Sequence, residues 1–119
     1  MDRQQWLEER KKGIGGSDAS AVVGANPYKT NVELWLEKTG RVIPEDIGHK
    51  DYVQYGIKSE HHLRELFKLD YPQYEVGYNE FLLHKHPKYP FLFATLDGEL
   101  QDRETGERGV LEIKCRPRR

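Results

Sequence analysis

The chain has 119 residues, a length typical of one compact domain, and its mean hydropathy of -0.87 indicates a thin core. A formal net charge of -1 excludes an overall positive field for nucleic acid, so any DNA contact is expected to be local. The single cysteine, with no apolar run of about 18 residues and no signal-like N-terminus, excludes secreted and membrane classes and predicts a cytoplasmic protein.

Four helices are predicted in the N-terminal part of the chain. They cover Asp2–Lys12, Ser17–Val23, Thr30–Gly40 and Asp51–Leu69. Asp2 and Ser17 are predicted to cap the first two, because their side-chain oxygens can accept hydrogen bonds from free backbone N–H groups. In the third, Thr30 followed by Glu33 has the spacing of a capping box, and Gly40 suits the C-terminal end.

The remaining sequence is predicted to be extended. Three segments are rich in Val, Ile, Leu, Phe and Tyr: Tyr74–His84, Phe91–Leu100 and Gly109–Cys115. Gly106 lies in the polar stretch Gln101–Arg108, which predicts that the last two segments pair antiparallel. Helices followed by strands indicate an α/β fold of the mixed α+β kind, with a three-stranded antiparallel meander and one domain over residues 1–119.

The position of Asp97 needs a chemical explanation. If the turn is centred between Glu104 and Thr105, Asp97 lies opposite Glu112, with their Cβ atoms about 5 Å apart. Two carboxylates at this distance repel each other, and a folded protein can protonate one, supply a cationic partner or bind a divalent metal ion. The metal ion is the alternative that would serve a function.

The last predicted strand carries a Glu-x-Lys pattern. Side chains alternate across a strand, so Glu112 and Lys114 share one polar face. The opposite face is apolar and is predicted to be buried, with Leu111, Ile113 and Cys115. A carboxylate and an ammonium group placed in this way can hold a metal ion and position a water molecule for phosphodiester hydrolysis. The alternative is an ordinary ion pair on the surface of the strand.

A third carboxylate, Glu60, lies on the predicted apolar side of the longest helix. That side carries Val53, Ile57, Leu63, Leu66 and Phe67. Glu60 is either a boundary residue whose stem packs while its carboxylate reaches water, or a further metal ligand. Gly56 lies one turn earlier. A glycine inside a helix lowers the stability of the helix, so its presence predicts that another element approaches the helix closely at this point.

Several stretches of the chain match one known pattern in order. They are Arg10 with Ile14–Asp18, Asn26–Tyr28, Leu34–Gly40, Tyr55–Gly56 with Glu60, Ala94–Gly98 and Leu111–Cys115. On these stretches the sequence resembles the YqaJ-type viral recombinase nucleases, relatives of lambda exonuclease among the PD-(D/E)xK nucleases. The resemblance spans residues 10–116 and implies a restriction-endonuclease-like core, in which helices flank a central mixed sheet.

The resemblance implies an exonuclease that hydrolyses linear double-stranded DNA with Mg²⁺ or Mn²⁺ in phage-type recombination. Asp97 and Glu112, with the carbonyl group of Ile113, would bind the metal ion. Glu60 would bind or orient groups near a second metal ion, and Lys114 would position the attacking water.

The same resemblance implies contacts to DNA phosphates. Arg10 and Ser17 would bind the terminal 5′ phosphate, and Thr95 would contact a backbone phosphate. The glycines before Ser17 support this independently, because free N–H groups at the start of a helix attract anions. A single-strand annealing recombinase is the protein partner that the resemblance implies, and assembly into a homo-oligomer is compatible with it.

Members of the family continue past the Glu-x-Lys strand into a helix that carries a glutamine and then into a further strand, whereas this sequence stops at Arg119. We therefore expect the truncated N-terminal portion of a longer nuclease, with weak cleavage or none by this chain alone. The alternative function is a noncatalytic DNA-end-binding or scaffold fragment of such a nuclease.

Overall fold

The computed structural model describes residues 1–115, in which helices precede strands, and it confirms the predicted mixed α+β class. The chain forms two compact units, one of residues 1–45 and 81–95, the other of residues 46–80 and the chain from Leu96 onward. None of the helices in residues 1–115 is both long and apolar enough to cross a membrane. The single domain and the restriction-endonuclease-like core stay predictions.

The first unit begins with α1 (Arg3–Arg10), a 3₁₀ helix (Gly16–Asp18), α2 (Ala19–Val22) and α3 (Asn31–Lys38). Asp2 caps α1, because its Oδ1 accepts a hydrogen bond from the backbone N–H of Gln5 at 2.8 Å. Thr30 caps α3 through its Oγ1, which accepts from the N–H of Glu33 at 3.1 Å. Gly40 follows α3 with a φ of +76°, so both predicted caps and the predicted end of α3 are confirmed.

The predicted cap at Ser17 is wrong. Ser17 lies inside the 3₁₀ helix, and Asp18 caps this turn, since its Oδ2 accepts a hydrogen bond from the N–H of Gly15 at 2.9 Å. A carboxylate three residues after the cap position can reach back to that N–H group, as in a capping box. The next helix, α2, ends close to Gly24, whose φ of +75° favours glycine.

The first unit also contains an antiparallel two-stranded sheet made of β2 (His84–Lys85) and β3 (Phe93–Ala94). The segment after α1 runs beside this sheet. The N–H of Ile14 donates to the Phe91 carbonyl at 2.7 Å, and the N–H of Phe93 donates to the Ile14 carbonyl at 3.0 Å. Glycine is required at Gly13, because a Cβ there would lie 2.3 Å from the Phe91 carbonyl oxygen.

The second unit contains α4 (Asp51–Asp70), β1 (Tyr74–Gly77), β4 (Gly98–Asp102) and β5 (Arg108–Leu111). Its strands form one antiparallel sheet in the order β1-β4-β5. β1, β4 and β5 come from the first, second and third extended segments predicted from the sequence, so this order is the predicted meander. Gly98 pairs with Leu111, so the register predicted from the turn is confirmed.

Two predicted strands are each divided in the structure. The segment Tyr74–His84 contributes β1 and the first residue of β2, and the segment Phe91–Leu100 is divided between β3 and β4. The physical reason is that β2 and β3 form a hairpin of their own. Pro87 and Pro90 lie in its loop, and the N–H of His86 donates to the Leu92 carbonyl across it at 2.8 Å.

The buried face of α4 differs from the prediction. Its most buried side chain is Arg64, which is 4% exposed, and the half-buried Glu60 lies one turn earlier. Three residues predicted to be buried are exposed instead: Ile57, Leu63 and Leu66. The reason is that this face contacts the polar groups of Asp97, which charged side chains can satisfy. The predicted close approach at Gly56 is also wrong, since no neighbouring element of residues 1–115 lies within 4 Å of a Cβ built there.

The apolar core is thin, as the composition predicts. In the part of the chain that the structure describes, the buried apolar side chains are Ala21, Leu34 and Leu83. All three belong to the first unit. In the second unit, the ring of Phe67 packs 4.7 Å from that of Tyr71, while the most buried side chain is the charged Arg64.

Candidate functional site

Two predicted site residues lie near each other in the second unit. Glu60 lies in α4, Asp97 lies directly before β4, and their carboxyl groups are close enough for Asp97 to affect the pKa of Glu60. Burial raises the pKa of Glu60 most strongly, and the negative charge of Asp97 raises this pKa further. The raised pKa reflects the cost of placing two negative charges near each other at a partly buried position.

Arg64 contacts both members of this pair. Its Nε donates to the backbone carbonyl of Asp97 at 2.8 Å, and its Nη2 donates to Oε1 of Glu60 at 3.2 Å. The guanidinium carbon lies 3.5 Å from the ring centroid of Tyr78, an arrangement typical of a cation–π contact. The sequence analysis missed Arg64. The available signal was its position four residues after Glu60, the spacing of an ion pair on one helix face.

Ile113 contacts Asp97 through its backbone. The strand pairing ends at Gly98 and Leu111, and beyond it the N–H of Ile113 donates to Oδ2 of Asp97 at 2.9 Å. Gly98 allows this close approach, because a Cβ on it would lie 3.1 Å from the Cβ of Leu111. The structure therefore brings Glu60, Asp97 and the backbone of Ile113 together.

Glu112 and Lys114 lie on the surface of the second unit. Their side chains are 69% and 64% exposed, and Lys114 Nζ lies 3.5 Å from Glu112 Oε1. The predicted burial of Cys115 is wrong: it is exposed, because β5 ends at Leu111 and the strand alternation does not continue to that residue. Within residues 1–115, no group of three or more His, Cys, Asp or Glu side chains is placed to hold a metal ion.

The three residues predicted to bind phosphate belong to the first unit. The guanidinium carbon of Arg10 lies 4.6 Å from the ring centroid of Trp6, and its buried Nε has no hydrogen-bond partner among the described residues. Ser17 is exposed in the 3₁₀ helix, and Thr95 is exposed directly after β3.

Lys38 is a second residue that the sequence analysis missed. Its Nζ donates to the Arg10 carbonyl at 2.8 Å and forms an ion pair with Oδ2 of Asp18 at 3.0 Å. The same Asp18 oxygen accepts the N–H of Gly15. Lys38 therefore links the end of α1 to the glycine segment that precedes Ser17.

These features define a mixed α+β protein in which a buried arginine contacts the carboxylate of Glu60 and the backbone of Asp97. Residues 5–119 match the model of the YqaJ-like viral recombinase domain, and the chain belongs to this family. The resemblance predicted from the sequence motifs is confirmed.

Two curated relatives match most of the chain. The first is the uncharacterized protein YqaJ of Bacillus subtilis (strain 168), 39% identical over 114 residues that cover 96% of this chain and 34% of that protein. The second is the uncharacterized protein R354 of Acanthamoeba polyphaga mimivirus, 30% identical over 95 residues that cover 80% of this chain and 16% of that protein. The chain therefore matches about a third of the length of one relative and about a sixth of the other.

Proposed function

We propose that this chain is the catalytic part of a metal-dependent exonuclease that hydrolyses linear double-stranded DNA in phage-type recombination. The observation that carries the proposal is that Arg64 binds both Glu60 and the backbone of Asp97, at 3.2 Å and 2.8 Å, in a chain of the viral recombinase family. A carboxylate from a helix and one from the start of a strand lie near each other there, at a site braced by a buried cation.

The donor atoms of this site suit a hard divalent cation. Mg²⁺ and Mn²⁺ prefer oxygen ligands, and Glu60 and Asp97 supply carboxylate oxygens. Glu112 and the carbonyl of Ile113 belong to the segment whose N–H already contacts Asp97, and they are the further proposed ligands. When bound, Mg²⁺ or Mn²⁺ supplies polarisation of a phosphate oxygen and a lowered pKa for a bound water.

The other proposed roles belong to residues of this chain. Lys114 would position the attacking water, and its ammonium group lies 3.5 Å from the Glu112 carboxylate. Arg10 and Ser17 would bind the 5′ phosphate, with the guanidinium group of Arg10 as the donor. Thr95 would contact a backbone phosphate. A single-strand annealing recombinase and further copies of the chain are the proposed partners.

The test is digestion of a linear, 5′-phosphorylated duplex by this chain in Mg²⁺ or Mn²⁺. We expect weak metal-dependent loss of the duplex, none in EDTA, and a fall to background for Asp97→Ala, because this variant removes a metal ligand and the acceptor of the Ile113 N–H. Asp70→Ala is the matched control, since it removes an exposed carboxylate at the end of α4. Circular dichroism checks that both variants fold. Cleavage by a folded Asp97→Ala protein at the wild-type rate would contradict the proposal.

A second candidate is a noncatalytic module that binds DNA ends. It is favoured by the 69% exposure of the Glu112 side chain, which contacts Lys114 at the surface. Binding of a 5′-phosphorylated end that persists in EDTA, without cleavage in Mg²⁺, is the expected result for this candidate. Metal-dependent cleavage that requires Asp97 would exclude it.

A further inference from the structure

We propose that Arg64 is a positioning residue for the metal-binding carboxylates, because its guanidinium group binds both Glu60 and the backbone of Asp97. This inference rests on the proposed function, in which Glu60 and Asp97 bind the metal ion. It assigns a role to a side chain that the sequence motifs did not identify.

The guanidinium group reaches the two residues by different routes. It holds Asp97 through the backbone carbonyl at 2.8 Å, so the Asp97 carboxylate remains free to contact Ile113. It holds Glu60 through one carboxylate oxygen at 3.2 Å. Arg64 therefore determines where both residues lie without occupying the oxygens of Asp97 that a metal ion would use.

The burial of Arg64 is unfavourable unless its contacts are specific. A buried charge loses its hydration, and buried ion pairs contribute little to stability compared with well-packed apolar residues. The neighbouring Leu63 and Leu66 are exposed, whereas Arg64 is 4% exposed. The helix thus buries a charged side chain although two leucines lie next to it in the sequence, and this points to a role for Arg64 at the carboxylate pair.

Arginine suits this position better than lysine. Its planar group has five N–H donors in a rigid fork, so Nε and Nη2 can serve two acceptors while the flat face lies on the Tyr78 ring. A lysine would keep the charge but would present one nitrogen at the end of a flexible stem. Arg64→Lys therefore separates positioning from charge.

The first experiment measures Mn²⁺ affinity from the EPR signal of free Mn²⁺, with thermal unfolding recorded for each protein. For Arg64→Lys we expect a folded protein whose Mn²⁺ affinity is about 10–100-fold weaker, the range typical of residues that orient metal ligands. Cleavage should recover when the Mn²⁺ concentration is raised. Arg103→Lys is the matched control, because the Nε of Arg103 also donates to a backbone carbonyl, that of Pro72, at 3.1 Å. Its affinity should equal that of the wild type.

A merely structural role would lower the unfolding temperature of Arg64→Lys and leave Mn²⁺ affinity unchanged, and this result would overturn the inference. Wild-type protein that binds no Mn²⁺ would overturn the proposed function and the inference together. Wild-type binding that is lost in Asp97→Ala but equal in Arg64→Lys would overturn the inference alone.

A second pair of variants decides the matter if Arg64→Lys does not fold. Tyr78→Leu removes the ring under the guanidinium group, whereas Tyr78→Phe keeps it, and neither changes a charge at the carboxylate pair. We expect weaker Mn²⁺ binding for Tyr78→Leu and wild-type binding for Tyr78→Phe. Equal affinities for these two variants would contradict the inference.

Discussion

Gly13 and Gly15 allow the segment after α1 to lie against β3, and neither has room for a side chain. A Cβ at Gly13 would lie 2.3 Å from the Phe91 carbonyl oxygen, and a Cβ at Gly15 would lie 2.7 Å from the ring of Phe93. At Gly16, by contrast, no atom of the described residues lies within 4 Å of such a Cβ. Packing therefore requires the first two glycines and leaves the third unconstrained.

This contrast gives a matched pair of variants. Gly13→Ala should lower the free energy of unfolding by about 1–3 kcal/mol, because the backbone of Phe91 must shift to admit the methyl group. Gly16→Ala should change it by less than about 0.5 kcal/mol, as is usual for surface substitutions. Urea denaturation measures both values. Equal destabilisation by the two substitutions would contradict the packing described for Gly13.

The charged residues of the site differ in how far their roles could be predicted. Glu60 was identified because a carboxylate on the apolar side of a helix needs a chemical reason, and Asp97 because the predicted register places it opposite Glu112. Arg64 and Lys38 were not, because hydrophobic periodicity assigns charged residues to the solvent side of a helix. Their partners, the backbone carbonyls of Asp97 and Arg10, become close only after the chain has folded.

At the scale of elements, the β4–β5 hairpin determines the register beside Asp97. Asp102 starts the turn, and its Oδ1 accepts the N–H groups of Glu104 at 2.8 Å and of Thr105 at 3.0 Å. Gly106 completes the turn with a φ of +73°. The hydrogen bonds from Thr105 and Glu104 lower the pKa of Asp102, because they favour its charged form.

A pH dependence of stability follows from this turn. The folded-state pKa of Asp102 lies below its ordinary value of 3.8, so its charged form stabilises the fold above that value, and this contribution is lost as the pH falls through the lowered pKa. Asp102→Asn should therefore unfold at a lower temperature than wild type near neutral pH, and the difference should shrink in acid. Thermal melts from neutral to acidic pH measure it, with Asp70→Asn as the control. A difference that grows on acidification would contradict this account.

Local signals explain which elements could be predicted. The cap at Thr30 and the turn around Gly106 depend on a few neighbouring residues, and both were predicted correctly. The division of Phe91–Leu100 between two sheets could not be predicted in this way, because no residue in that segment marks where pairing changes partner. The burial of Arg64 could not be predicted either, because its partner Asp97 is distant in the sequence.

At the scale of the whole molecule, the proposed site residues fall into two groups. Glu60, Asp97, Glu112 and Lys114 belong to the second unit, whereas Arg10, Ser17 and Thr95 belong to the first. Metal binding is therefore a property proposed for residues of one unit, and it can be tested without DNA. A test without DNA is useful because the chain matches about a third of the length of its relative YqaJ and about a sixth of R354. An assay of DNA cleavage therefore tests more than the metal site.

Anomalous diffraction from crystals of this chain soaked in Mn²⁺ tests the proposed metal site most directly. We expect a Mn²⁺ peak in contact with carboxylate oxygens of Glu60 and Asp97, at a distance near the roughly 2.1 Å typical of Mg²⁺ and oxygen ligands. The peak should be absent in crystals of Asp97→Ala. No peak at saturating Mn²⁺, or a peak that touches neither carboxylate, would contradict the proposed metal site.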